Sequence, residues 1–517
     1  MKKCLPFLDH DLQNSGPQYL EDLATGYWFS EILFTSVEMD IFSRLEPKGA
    51  SLNDLSGSLL VDPMALSRLL DALSSISLIT KDGDRYCNTG ISHEYLVTGK
   101  KDYQGGSILW RRYLQSSWAG LADCLKAGGR VDYGQQDKPS ARNRRIKHYM
   151  RAMDSIAKTK TGEILGYFEG VALKGRLLDV GAGSGAFAAS FIKQYPGMRA
   201  TLLDLPDILK HTKEAMEEQG FGRQIQYLAG NILEQWPIKK KSFDLVVLSN
   251  IIHAYSEAEL PHILKMATDT LKNNGLLLIH DFFSEHYPEK AALTDLNMFI
   301  NTYNGRVFSS SFINGQLAQL GLSHTIFAPL KTDTAVLFTS ANAETIRTLK
   351  IDSFDQLLVR IKAIGFKKIC RLKAEEIQLA DWTGIKCRFG CDRYNSLNCR
   401  PNSMPKEKTG AIIREYRHAL LLEGEPPTRD FQKRVLEAER EAFLSGYHKT
   451  FSFWAGPCSI CVTCASDGNC RNTAHTRPSM EGAGIDVFET ARRAGAKVRT
   501  LRSRTDYIKY FGLILLD

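Results

Sequence analysis

The chain has 517 residues, 66 basic and 58 acidic side chains and 43% apolar residues. That balance excludes a disordered chain, and at about 100–200 residues per domain it predicts about three domains. No apolar run reaches the roughly 18–20 residues of a membrane helix, and Met1-Lys2-Lys3-Cys4-Leu5-Pro6 lacks the apolar stretch of a secretory signal, so a soluble, cytoplasmic protein is expected.

Residues 1–105 read as helices with one hairpin. Asp62-Pro63 is an N-cap followed by proline at the first helical position. Leu66, Leu69, Leu70 and Leu73 then line one helix face. Asp82-Gly83 reads as a hairpin turn between short strands. Helix, turn, helix and β-wing describe a winged helix, which binds DNA or serves as a dimerisation unit. The second helix holds only Arg68 as a cation, too few for phosphate contacts, so the non-DNA reading is favoured. Residues 106–170 read as a helical connector anchored by Trp110, Tyr113, Leu114 and Trp118.

From 171 to 345 short apolar strands alternate with amphipathic stretches. Strands are predicted at 177–180, 200–204, 225–228, 243–248 and 275–279, an α/β pattern that implies a doubly wound, mostly parallel sheet. The first strand runs into Asp179-Val180-Gly181-Ala182-Gly183-Ser184-Gly185 with a helix behind it. Glycines there permit a tight turn and close approach of a ligand. Asp204 ends the next strand, where a carboxylate accepts hydrogen bonds from ribose hydroxyls. The loop is one residue tighter than Gly-x-Gly-x-x-Gly, which suits a ligand without a pyrophosphate. Residues near 341–356 read as a linker.

Residues 346–517 hold eight of the eleven cysteines, Cys370 included. From Cys370 onward 24 Lys/Arg stand against 18 Asp/Glu, most of the chain's net charge of +8. A basic region is one signature of nucleic-acid binding; a mildly basic surface is the other reading. In a large chain without a signal, clustered thiols mean metal or redox chemistry. One motif is Cys387-x3-Cys391-x7-Cys399 and the other Cys458-x2-Cys461-x2-Cys464-x5-Cys470. The second matches the bacterial ferredoxin run except at its last step, so a [4Fe-4S] site is expected, one cluster or two. Structural zinc is the alternative, since zinc prefers paired Cys-x2–4-Cys hooks. Three thiolates at Cys387, Cys391 and Cys399 would leave one iron open to a substrate atom, unless Cys370 closes it. Phe431, Val435, Ala438 and Ala442 read as the packing face of a helix, and His475 as a surface or core histidine.

Leu178–Gly185, Leu203-Asp204-Leu205-Pro206, Gly230-Asn231-Ile232 and Leu248-Ser249-Asn250-Ile251-Ile252-His253 together resemble the class I S-adenosylmethionine-dependent methyltransferases, in particular the O-methyltransferases with an N-terminal winged-helix dimerisation domain. The resemblance covers about residues 20–340. It implies a homodimer, a Rossmann-like domain and a small-molecule methyl acceptor. Asp179, Gly181, Gly183, Asp204, Leu205, Asn231, Ile232 and Ser249 would line the cofactor. His253 would be the general base and Asp281 its flanking carboxylate. Asn231 stands where the family has Asp, His253-Ala254-Tyr255 stands for His-Asp-Trp, and a second flanking acid would fall near Val307. A base with one acid suits a thiol, sulfide or phenol better than an alcohol, because those acceptors ionise nearer neutral pH.

The C-terminal part resembles a family of cysteine-rich predicted metal-binding domains of unknown function, through Cys387-Arg388-Phe389-Gly390-Cys391, Ala455-Gly456-Pro457-Cys458 and Arg477-Pro478-Ser479-Met480-Glu481. Methyl transfer consumes no electrons, so a fused cluster is expected to bind or present the acceptor. Two other readings stay open: a redox- or iron-sensing regulator that uses the winged helix, and a methyltransferase with a purely structural metal site.

Overall fold

The structure, a computed structural model, describes residues 16–131, 139–424, 429–465, 469–501, 503 and 509–517. In the N-terminal part the Asp62 side chain accepts from the Ala65 N–H at 2.8 Å and opens the helix Pro63–Ser75, whose Leu66, Leu70 and Leu73 are buried. Strands β1 (Ala50–Ser51), β2 (Ile79–Asp82) and β3 (Arg85–Asn88) form an antiparallel sheet in the order β1-β3-β2. Asp82 pairs with Arg85, so the two-residue turn is Gly83-Asp84, one position later than the sequence suggests. Gly83 takes the positive φ (61°) that the first loop position demands. Phe42, Leu55, Tyr86 and the leucine face close this small core.

Four parallel crossovers follow. Strands β4 (Gly175–Val180), β5 (Met198–Asp204), β6 (Ile225–Ala229), β7 (Phe243–Ser249) and β8 (Leu271–Asp281) occur at the predicted places. Strands β9 (His324–Pro329) and β10 (Ala335–Ser340) add an antiparallel hairpin, giving the order β6-β5-β4-β7-β8-β10-β9. The chain winds to one side of β4 and then to the other, so the C-terminal ends of β4 and β7 flank the crevice where such sheets bind ligands. The predicted linker at 341–356 spans the point where the chain's contacts divide, after Ile351, and its first half is folded. Asn342 caps the helix Ala343–Arg347, and Ile346 and Leu349 are buried in the core of this sheet. No helix among the described residues is long and apolar enough to cross a membrane.

Contacts divide the chain after Ile351, with Ala24–Ile351 in one unit and Asp352–Asp517 in the other. The second unit is built on β11 (Lys368–Lys373), β12 (His418–Gly424), β13 (Phe451–Phe453) and β14 (Tyr510–Leu516), antiparallel in the order β11-β12-β14-β13. Alternation along the strands covers both faces. Leu420, Leu422, Ile514 and Leu516 pack on the helices Ser353–Ala363 and Arg429–Leu444, the latter through Phe431, Val435, Ala438 and Ala442. Cys370, Leu421, Leu513 and Leu515 face Met480, Ile485 and Ala491. The cysteine motifs lie in the helix Trp382–Gly390 and in irregular segments outside the sheet.

Candidate functional site

In the α/β unit the loop after β4 holds three glycines at positive φ: Gly181 (66°), Gly183 (52°) and Gly185 (74°). An added Cβ at Gly181 would run into the Ile251 side chain, from the loop after β7, whereas at Gly183 it would meet open space. Asp204, at the end of β5, is tied to this loop. Its Oδ2 accepts from the Gly183 N–H at 2.8 Å and its Oδ1 from the Leu205 N–H at 2.7 Å. Each oxygen keeps a further lone pair for a ligand hydroxyl. Burial raises the Asp204 carboxyl above its ordinary value, and the two N–H bonds oppose that shift. Asp179 is buried with Oδ2 unpartnered and its carboxyl pushed up to about 7 by burial; the Ala188 N–H pulls it back and Asp204 pushes it further.

The other residues predicted for the cofactor divide into two sets. Leu205 is half exposed beside Asp204. Asn231 spends its Oδ1 on the Leu233 N–H (3.0 Å), a turn of its own loop, and leaves its amide N–H2 group in reach only of Glu234 at 3.5 Å. Ile232 is buried, and its carbonyl accepts from Trp236 Nε1. Ser249 pairs with a buried histidine: its Oγ lies 2.9 Å from His280 Nδ1, and His280 Nε2 lies 2.9 Å from Thr334 Oγ1. His280 is fully buried, and burial lowers its basicity to a pKa of about 3.

β7 and β8 are parallel neighbours with Ser249 opposite His280. The turn after β7 therefore meets the last residue of β8. Asn250, at φ 56°, bends the chain, and His253 follows in a single 3-10 turn, Ile252–Ala254. His253 Nδ1 is hydrogen-bonded to Asp281 Oδ1, which also accepts from the Phe282 N–H at 2.8 Å. A carboxylate against Nδ1 holds the proton on that nitrogen and leaves Nε2 with a lone pair. Asp281 is wholly buried, and the Phe282 ring stands edge-on to the imidazole at 5.7 Å. Val307, in the place of a second acid, is buried, and its N–H is held by Asp295 Oδ1 at 2.7 Å. Two residues that sequence reasoning passed over belong here. The phenols of Tyr149 and Tyr255 are both pushed up to about 12, by burial first and then by Asp204. Tyr255 had a signal, its place two residues after His253. Tyr149 had none, because it comes from the remote helix Pro139–Gly166.

The second unit carries the thiols. All of the described cysteines are free. Cys399 is buried, and its thiol is pushed up to about 11 by burial and then by Cys391, Cys387, Cys458 and Glu481. Burial and Glu481 raise Cys387, with Arg400 opposing. Cys458 Sγ faces Gln432 Nε2 and Thr476 Oγ1, each at 3.6 Å. Asn472 serves two others, with Nδ2 2.9 Å from Cys461 Sγ and its N–H 3.4 Å from Cys470 Sγ. Cys464 is exposed. Arg477 forks onto Glu439, which also holds the Ser452 N–H, and so fixes the segment that carries Glu481. Glu481 Oε2 is buried without a partner.

Cys370 stands apart. It lies opposite Leu421 within the sheet, and the charged groups that act on it are Lys368, Glu423 and Lys509 rather than other thiols. His475 is on the surface. Among the described residues, no group of three or more Cys, His, Asp or Glu side chains is arranged to hold a metal ion. The donor set itself, free thiols flanked by N–H and O–H donors and an unpartnered buried carboxylate oxygen, fits a thiophilic metal in its chemistry.

Residues 118–322 match the O-methyltransferase domain family, residues 21–98 the O-methyltransferase dimerisation domain and residues 370–516 a predicted metal-binding protein family. The chain is 27% identical over 317 residues to a 3-hydroxy-5-methyl-1-naphthoate 3-O-methyltransferase of Streptomyces sahachiroi, covering 59% of this chain and 90% of that one. It is 26% identical over 273 residues to an N,N-dimethyltransferase of Streptomyces rimosus, covering 52% and 78%. The crystal structure of human N-acetylserotonin methyltransferase in complex with SAM superposes with a TM-score of 0.56 at 23% identity, over 63% of this chain and 98% of that one.

Proposed function

We propose that the chain, which matches the O-methyltransferase and dimerisation domain families with a predicted metal-binding domain behind them, is a SAM-dependent methyltransferase that methylates a small thiol, sulfide or phenolic hydroxyl with His253 as general base. When bound, S-adenosylmethionine supplies an electrophilic methyl on a sulfonium that leaves as a neutral thioether. Asp204 grips the ribose with the lone pairs its two backbone bonds leave free. The Gly181–Gly185 turn gives the cofactor its close approach. His253 Nε2 takes the acceptor proton as the methyl–acceptor bond forms, and Asp281 holds the imidazole in the tautomer that makes this possible and steadies the charge it gains. The observation that carries this reading is the buried His253–Asp281 pair at the ends of adjacent strands, beside the glycine turn.

The acceptor preference follows from the single acid. With Val307 in place of a second carboxylate, the base has less help, which suits acceptors that ionise readily. The N-terminal domain makes the homodimer, an assignment supported by the exposure of Tyr27 and Trp28 on its helix Tyr27–Glu38. In the C-terminal domain the cysteines hold a thiophilic metal, as [4Fe-4S] in this proposal, whose part is to bind a sulfide or thiol acceptor.

A screen of methyl transfer from labelled S-adenosylmethionine to sulfide, small thiols, phenols and alcohols tests the reading. Turnover should appear with the first three classes. H253Q should lower kcat by about 10²-fold or more with cofactor affinity unchanged. Undiminished turnover in H253Q would remove the base from the mechanism.

A further inference from the structure

Strand register places five polar side chains on one face of the central sheet. Asp179 lies opposite Leu202 and Val247, so Asp204 and Ser249, each two residues further along, stand on the same side. Ser249 lies opposite His280, and His280 opposite Val336, two residues after Thr334. Asp204, Asp179, Ser249, His280 and Thr334 therefore form a row across the ends of β5, β4, β7 and β8 and the approach to β10. The hydrogens in the second half of this row can be placed by counting. His280 is fully buried and neutral, so one ring nitrogen donates and the other accepts. Nδ1 meets Ser249 Oγ and Nε2 meets Thr334 Oγ1, each at 2.9 Å. Thr334 is 2% exposed, and among the described residues its hydroxyl has no other partner. A proton on Nε2 would leave the Thr334 hydrogen buried without an acceptor, which is costly. A proton on Nδ1 lets Thr334 donate to Nε2 while Nδ1 donates to Ser249 Oγ. The one hydrogen left over is then that of the Ser249 hydroxyl, at the part-buried end of the chain of bonds. The backbone is fixed there too, since the Asn250 N–H donates to the His280 carbonyl at 2.8 Å.

We propose that His280 is a positioning residue for cofactor binding, which holds the Ser249 hydroxyl as a hydrogen-bond donor to the α-carboxylate of S-adenosylmethionine. This rests on the reading that the cofactor binds at the ends of β4 and β7. An amino-acid zwitterion needs a donor for its carboxylate and an acceptor for its ammonium. The row offers both on adjacent strands. Ser249 on β7 has a hydrogen to give, and Asp179 on β4, 2% exposed, has Oδ2 without a partner. Asp204, one strand beyond Asp179, is the ribose acid, so the groups along the row follow the order of the groups along the cofactor. With the opposite tautomer Ser249 would offer only lone pairs, as Asp179 does, and the carboxylate would face acceptors alone.

The test is calorimetric titration of the full chain with S-adenosylhomocysteine, which keeps the amino-acid end, and with methylthioadenosine, which lacks it. S249A should weaken the first by about tenfold or more and leave the second unchanged. H280L removes the N–H that holds the hydroxyl and should show the same selective loss. H280N keeps an N–H near the place of Nδ1 and should restore binding. The double variant S249A/H280L should lose no more than S249A alone, because both changes remove one interaction. Equal losses for the two ligands in S249A, undiminished affinity for S-adenosylhomocysteine in S249A or H280L, a folded H280N that binds no better than H280L, or additive losses in the double variant would each overturn the proposal. H280L strands the Thr334 hydroxyl and can fail to fold, so the tautomer is also read in the unaltered chain. Nitrogen NMR of isotope-labelled protein, with the His280 signals identified by their absence from H280N, should find the proton on Nδ1; a proton on Nε2 would refute the assignment. A chain that binds neither ligand would overturn the cofactor reading itself, an outcome distinct from binding that is indifferent to Ser249.

Discussion

Asp179 and His280 are two buried ionisable groups that burial shifts strongly, and they pull in opposite directions with pH. Asp179 has its folded pKa raised from 3.8 to about 7 by burial. The folded chain therefore binds a proton between those values that the unfolded chain lacks. The charged carboxyl weakens the fold above pH 7, and that cost is relieved as the pH falls. His280 has its folded value lowered from 6.5 to about 3, again by burial. Its contribution is fully present above 6.5 and is lost as the pH falls, because the unfolded imidazole takes up a proton and the folded one does not. D179N should raise stability at pH 8 by about 1–3 kcal/mol while weakening cofactor binding by about tenfold, measured by thermal melts and calorimetric titration. In that variant the His280 slope should stand unopposed, a loss approaching about 1.4 kcal/mol per pH unit below 6.5. A melting profile no steeper than that of the unaltered chain would remove His280 from this role.

At the scale of elements, the catalytic pair is a product of strand order. Adjacent parallel β7 and β8 end together, and the turn between Asn250 and Ala254 lays His253 on Asp281. The segment Thr302–Val307 closes over that turn. A Cβ on Gly305 would come within 2.5 Å of the His253 carbonyl oxygen and collide with Thr302 Oγ1. G305A should therefore lower kcat by about tenfold or more with cofactor affinity unchanged; full turnover would show that the segment yields without moving the base. Much of this was legible in the sequence. The five parallel strands, the glycine turn and the place of Asp204 follow from apolar runs punctuated by Gly and Asp, whereas the His253–Asp281 pairing follows from the resemblance to the O-methyltransferases. The hairpin of β9 and β10 did not: β10 enters antiparallel between β8 and β9, and the short turn that joins it to β9 leaves no crossover helix to announce it. The stretch 341–356 looks like a linker because its surface is polar, yet Ile346 and Leu349 anchor it. Ser249 reads as a cofactor contact from its place in the motif, and its hydroxyl also meets His280, a partner 31 residues away on the next strand that the sequence does not reveal. The meeting of the two cysteine motifs was the least legible feature, because Asn398, beside Cys399, and Cys458 share the hydroxyl of Thr476 from distant parts of the chain.

For the molecule as a whole, the division after Ile351 separates two chemistries with different stabilisers. S-adenosylmethionine at one hundred times its Kd should stabilise the first unit by about 2.7 kcal/mol and leave the second untouched, whereas removing metal with a chelator should lower only the transition of the second. Differential scanning calorimetry of the full chain reads both, and a single transition moved by either treatment would contradict the division. The second unit has a further property that its topology imposes. β14, the last of its strands in sequence, is not at an edge: it lies between β12 and β13 and buries Leu513, Ile514, Leu515 and Leu516. During synthesis the other three strands must wait on the ribosome for residues 510–516, with Leu420, Leu421 and Leu422 bare in the nascent polypeptide. A chain cut short between Cys470 and that strand would carry the thiols without the completed sheet, a product for the proteolytic machinery to clear before stray iron finds it.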